Sequence, residues 1–184
     1  MQININVCDN CPLRLYNTKR HNFPGVGDMY SNVCILVPSV DYDAYKAKDF
    51  EQSEHVKIIK SIISPTGELD WYIAPYVRCY NMGNTISIDI VNRCYEHFKE
   101  IQSNFTDILV CGEVVNYIGF ILRNVVGSAV RLKSGVRLYF NYSPLVKYAD
   151  SDKFEVFKEN LIKFRNAVTY KDASQFKWMR YEDF

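Results

Sequence analysis

The sequence predicts a three-layer α/β/α domain around a central, mostly parallel four-stranded sheet. Three observations carry that reading. Short β-branched or aromatic runs alternate with segments of helical periodicity, the pattern of parallel strands joined by helices on both faces. Two of the runs are apolar at nearly every position, as strands covered on both faces must be. The chain has 184 residues, enough for one ordinary domain with a real core.

The elements follow in order. Val33-Cys34-Ile35-Leu36-Val37 is the first strand of the predicted sheet. Val56, Ile59, Ile62 and Ile63 then share one helical face. Trp71-Tyr72-Ile73 is the second strand. Ile90, Val91, Cys94, Phe98 and Ile101 line the next helix, with Ser87 placed to cap it. Ile108-Leu109-Val110-Cys111 is the third strand, followed at once by Gly112, Glu113 and a short helix ending near Gly119. Val136-Arg137-Leu138-Tyr139-Phe140 is the fourth. Phe154, Phe157, Leu161 and Phe164 line a last helix that opens with Asp150-Ser151-Asp152. Residues 1–165 therefore read as one domain and 166–184 as a polar, aromatic C-terminal tail. Ligands of such sheets sit at the strand carboxyl ends, here the loops 38–50, 74–84, 112–116 and 141–149.

Composition narrows the function classes. With 48% hydrophobic and 23% charged residues the chain is neither disordered nor collagen-like. Lys and Arg number 22 against 21 Asp and Glu, so nucleic acid would have to be held by a local basic patch. No apolar run reaches the ~18 residues of a transmembrane helix, so no membrane partner is expected. Met1-Gln2-Ile3-Asn4 lacks the pattern of a secretory signal, and the expected location is cytoplasmic.

Six cysteines stand out: Cys8, Cys11, Cys34, Cys79, Cys94 and Cys111. In a reducing compartment grouped cysteines point to metal or redox sites before disulfides. Cys8 and Cys11 form a C-x2-C pair in a turn, while Cys79 ends the second strand and Cys94 lies on the inner face of the next helix. Two such pairs converge readily on one four-sulfur site for zinc or an iron–sulfur centre. The competing reading makes Cys79 and Cys94 ordinary buried thiols.

Cys8-Asp9-Asn10-Cys11-Pro12-Leu13, followed by Phe23-Pro24-Gly25-Val26-Gly27, resembles the start of the iron–sulfur uracil-DNA glycosylases of families 4 and 5. Trp71-Tyr72-Ile73-Ala74-Pro75-Tyr76-Val77-Arg78-Cys79 is similar to their VYITNxVKC strand, and Cys94 falls where they place a fourth ligand. Ile108-Leu109-Val110-Cys111-Gly112 and the helix to Gly119 resemble their LGxxAAxxLLG segment. The likeness runs in order from about residue 5 to residue 165. It implies a 4Fe-4S cluster held by Cys8, Cys11, Cys79 and Cys94, with zinc as the alternative metal, and leaves Cys34 and Cys111 to the core.

The chemical positions of that family are replaced. Its Gly-Glu-(Ala/Gly)-Pro-Gly loop reads here Val37-Pro38-Ser39-Val40-Asp41. Its base-reading Asn corresponds to Pro75, which has neither amide nor backbone N–H to offer. Its His-Pro-x-x-Leu becomes Asn141-Tyr142-Ser143-Pro144-Leu145, with Ser143 in the histidine position when the prolines are aligned. His21, His55 and His97 lie elsewhere and read as surface or partly buried residues. Phe50 falls about where these enzymes stack an aromatic on the flipped base, and an aromatic just before a helix reads equally as a core anchor.

The expected function is therefore a catalytically degenerate glycosylase-like iron–sulfur protein, a DNA-binding or replication/repair-complex module of the kind a large virus or phage encodes, which would put it in the host cytoplasm. Its DNA contacts would be weak and non-specific, through Arg14, Lys19 and Arg20 near the cysteine pair and Arg131 and Lys133 around the last strand. The second reading is an active DNA glycosylase, a hydrolase of altered base specificity, with Asp41, Asp43, Asn141 and Ser143 as its catalytic candidates. The third is a zinc-stabilised protein-interaction domain.

Overall fold

The computed structural model describes Cys8 and residues 11–13, 22–64, 70–82 and 86–180. Its elements are β1 (Val26–Gly27), β2 (Val33–Val40), α1 (Tyr42–Ala47), α2 (Glu54–Ile63), β3 (Tyr72–Tyr80), α3 (Ile88–Asn104), β4 (Asp107–Cys111), α4 (Val114–Tyr117), α5 (Leu122–Val125), β5 (Ser128–Arg131), β6 (Arg137–Asn141), α6 (Ser151–Tyr170) and β7 (Lys177–Met179). Short 3₁₀ turns at Phe50–Gln52 and Pro144–Tyr148 complete them.

The sheet has seven strands in the order β1-β3-β2-β4-β6-β5-β7, where four were expected. The four expected strands are its middle, β3-β2-β4-β6, and all three of their pairings are parallel. The additions sit at the edges: β1 antiparallel to β3, β5 antiparallel to β6, and β7 parallel to β5. They escape sequence reading because each has only two to four residues, too few to display a period.

Alternation along the middle strands divides the core. Cys34, Leu36, Ile108, Val110, Leu138 and Phe140 face α3, α4 and α5. Ile35, Val37, Leu109, Cys111 and Tyr139 face α1, α2 and α6. Both faces are thus covered, which is why β2 and β4 read as unbroken apolar runs. Helix starts follow the sequence signals: the Ser87 hydroxyl accepts from Ile90 N at 3.4 Å and the Asp150 carboxylate from Lys153 N at 3.0 Å.

The C-terminal boundary differs from the expected one. Helix α6 runs past Arg165 to Tyr170, and Lys177–Met179 adds a strand to the sheet. The Trp178 indole N–H donates to Ala173 O at 3.2 Å, tying that strand back to the helix end. Among the described residues no helix is long and apolar enough to cross a membrane.

The chain leaves β2 for β3 on one side, then crosses back to β4 on the other. The switch point of the sheet therefore lies between the carboxyl ends of β2 and β4, where an open α/β sheet ordinarily opens its ligand crevice.

Candidate functional site

Two places have to be considered: the cysteine corner beyond β3 and the crevice between β2 and β4. In the first, Cys79 is the eighth of nine residues in β3 and Cys94 lies in the second turn of α3. The N-terminal segment approaches from the side. Cys11 N–H donates to Cys8 O at 3.1 Å, the turn that brings the C-x2-C pair together, and Phe23 N–H donates to Arg78 O at 2.9 Å. Cys8, Cys11, Cys79 and Cys94 all line one cavity of about 30 Å³, with Leu13, Asn22, Val77, Arg78, Arg93 and His97.

The electrostatics agree with that convergence. Burial is the main cause that pushes the Cys79 and Cys94 thiols up to about 12, and the neighbouring sulfurs of the set add to it in both cases. The backbone N–H of Arg78 donates to the Cys94 sulfur and pulls the other way. Cys94 feels the sulfurs of the other three and Cys79 those of Cys8 and Cys11, and burial disfavours the thiolate at these two positions until a cation arrives. Cys34 and Cys111 belong to the core, fully buried, one on each face of the sheet.

The donor set suits a soft metal centre, because four thiols from segments up to 86 positions apart meet at one cavity. Buried polar atoms that lack a hydrogen bond gather in the same corner: Asn22 Oδ1, His97 Nδ1 and Glu100 Oε2. As the side chains stand, no group of three or more His, Cys, Asp or Glu residues among the described residues is arranged to hold a metal ion.

His97, read as a surface or partly buried residue, is more deeply buried than that: it is 2% exposed, and burial together with Arg78 holds its imidazole down at about 4. His55 is equally buried, held at about 4 by burial. His21 lies outside the described residues. Arg78 is the participant that sequence reading missed. It is 2% exposed at the floor of the cysteine corner, and the available signal was a lone charge in the otherwise uncharged strand Tyr72–Tyr80.

At the crevice between β2 and β4 the chain is closely packed around Gly112. Gly112 has φ +62°, and a Cβ built there would stand 2.8 Å from Ser143 Cβ and 3.2 Å from Pro38 Cγ. Pro38 of β2 and Ser143 after β6 thus both approach Gly112 closely, just past the end of β4. Pro75 is buried in β3 opposite Val37. The two-residue β1 reaches only Tyr72 and Ile73, so the N–H that Pro75 lacks is not required by that edge pairing.

The catalytic candidates serve the fold instead. Asp41 caps α1, accepting from Ala44 N at 3.0 Å, and its other oxygen accepts from Ser53 Oγ at 2.6 Å and Glu54 N at 2.8 Å. Asn141 is fully buried; its amide donates to Phe157 O at 2.9 Å, and its oxygen accepts from Tyr142 N at 2.9 Å and Asn160 Nδ2 at 3.4 Å. Ser143 caps the turn at Pro144–Tyr148 through Leu145 N at 3.3 Å. Asp43 is exposed in the first turn of α1. Phe50, expected to stack on a base, is 3% exposed in the core below α2, so it has no face to offer.

The basic residues separate likewise. Arg131 ends β5 opposite Arg137, the first residue of β6, which puts it at the amino end of the parallel strands. Its guanidinium lies 6.0 Å from the Trp178 ring centre. Lys133 is exposed in the β5–β6 turn, beside a 450 Å³ cleft lined by Tyr95, Phe98 and Phe120. Neither joins the strand carboxyl ends. Arg14, Lys19 and Arg20 lie outside the described residues. No family model matches the chain, and no curated protein is similar enough to count as a relative.

Proposed function

We propose that this chain is a catalytically silent iron–sulfur domain of the uracil-DNA glycosylase type, a DNA-binding module of a replication or repair complex. The observation that carries the silence is the close approach of Pro38 and Ser143 to Gly112 at the sheet's switch point. A flipped base needs an open pocket and polar groups free to read its edge. Here the chain is closely packed around Gly112, and Asp41, Asn141 and Ser143 spend their hydrogen bonds on helix caps and backbone.

Cys8, Cys11, Cys79 and Cys94 would hold the cluster, which when bound supplies a covalent tie between the N-terminal segment and the sheet. The thiols give up their protons to do so, and the backbone N–H of Arg78 supports the Cys94 sulfur once it is a thiolate. DNA contact through Arg131, Lys133 and the N-terminal basic run engages phosphates, which position a protein without reading sequence.

Anaerobic purification tests the metal: about four irons with matching sulfide per chain are expected, and a single zinc without sulfide overturns it. Cys94→Ser should lose the iron and unfold at lower temperature. A binding titration at two salt concentrations should give weak affinity, indifferent to uracil and falling with salt. Abasic sites formed on uracil-containing or other damaged DNA would refute the silence. Absence of binding at low salt would refute the DNA role and leave a protein-docking domain.

A further inference from the structure

We infer that Arg78 is the buried counter-charge of the metal centre, and that with Glu100 it sets the centre's charge balance and so the midpoint of its one-electron couple. The inference rests on the reading that the four cysteines hold an iron–sulfur cluster.

Arg78 precedes Cys79 near the end of β3, is 2% exposed, and lines the cavity that Cys8, Cys11, Cys79 and Cys94 also line. Four thiolates around a doubly positive 4Fe-4S core carry a net charge of roughly −2. A dianion in a dry site requires a cation nearby, since an uncompensated buried charge costs several kcal/mol. Among the described residues two cations line this cavity. Arg93 is on the outer side of α3, one-third exposed and bonded to Asp89 at 3.0 Å, so its charge is matched and screened by water. Arg78 is the one in the interior.

The other charged group in the corner is Glu100, with Oε2 3.6 Å from the Arg78 guanidinium and 3.7 Å from His97 Nδ1. Glu100 is 27% exposed, so water screens its negative charge more than the interior screens Arg78's positive one. His97 stays neutral beside Arg78. Among the described residues, Arg78 thus brings a buried positive charge and Glu100 a partly exposed negative one to the cysteine corner. Positive field favours the state with the extra electron.

The test is a mediated potentiometric titration of the loaded protein with dithionite, read by visible absorption, with iron counted per chain. Arg78→Met should lower the midpoint by at least a tenfold change in the oxidised-to-reduced ratio at fixed potential, 59 mV for one electron. Arg78→Lys keeps the charge and should stay near wild type. Glu100→Gln should move the midpoint the opposite way, a sign that lost packing cannot produce, and it decides the matter even where Arg78→Met fails to load. Wild-type protein without iron overturns the parent reading and this inference with it. Loaded Glu100→Gln with an unshifted midpoint overturns this inference alone.

Discussion

Replacing Asp41 with alanine separates a structural carboxylate from a catalytic one. The substitution removes three hydrogen bonds at once, to Ala44 N, Ser53 Oγ and Glu54 N. A lost N-cap costs about 1 kcal/mol. Each further bond to a charged acceptor is worth about 1.5 kcal/mol at the low end, suitable for a half-buried group. The Ser53 hydroxyl is fully buried and would lose its acceptor, so water offers it little relief. The expected loss is about 3 to 4 kcal/mol, a large share of an ordinary domain's 5–15 kcal/mol. Urea unfolding should show a lower midpoint with an unchanged slope, since the folded surface is the same. Asp41→Asn, which keeps one acceptor oxygen, should fall between. An Asp41→Ala protein within 0.5 kcal/mol of wild type (about the scatter of ordinary surface substitutions) would refute the structural assignment, most of all if a base-excision activity vanished with it.

Two other perturbations read the same scaffold. His55 is held down from 6.5 to about 4 by burial, against the opposing pull of the Asp41 and Glu54 carboxylates, Glu54 in turn accepting from the Tyr148 hydroxyl. The unfolded chain takes up that proton first as pH falls, so stability is intact above pH 6.5 and declines towards pH 4, by about 3 kcal/mol from this group. His55→Leu should flatten that part of a stability–pH curve measured by urea unfolding. Asn141→Ala leaves Phe157 O and Tyr142 N without their partner in a fully buried site and should cost about 2–3 kcal/mol by thermal or urea unfolding; a neutral result would reopen Asn141 as a functional group.

The middle of the fold was legible because it is written in periods long enough to see. Val33–Val37 and Ile108–Cys111 are apolar on both faces, and Ser87 and Asp150 announce the starts of α3 and α6. The edge strands were not legible: β7 has three residues and is mostly exposed, so its pairing with β5 comes from tertiary contact, not pattern. Site residues divide by the same logic. Cysteine spacing survives as a one-dimensional signal, whereas Asp41 and Asn141 look catalytic in one dimension and become caps only when Ser53, Phe157 and Asn160 fold against them. Arg131 and Lys133 were legible as lying around the last strand, but the sequence does not say which end of β6 the preceding hairpin occupies.

On the proposed reading, the separation of the two places in space lets the metal site persist while the sheet's crevice is closed. The cysteine corner is built on the outer parallel strand β3 and on α3, whereas the closely packed crevice belongs to β2, β4 and the turn after β6. Substitutions at Pro38 or Ser143 touch no cysteine of the set. The reverse change is harder. A histidine at position 143 would give up the hydroxyl that caps Leu145 and would have to grow beside Gly112, where an added Cβ would stand 2.8 Å from the Ser143 Cβ. An acid in the loop after β2 would still face the Pro38 ring, and Pro75 would still have no amide to read a base. Chemistry at this sheet end would therefore need several coordinated replacements, and the one at Ser143 destabilises by itself because that residue caps a turn. A scaffold closed in this way is held closed by its own folding requirements.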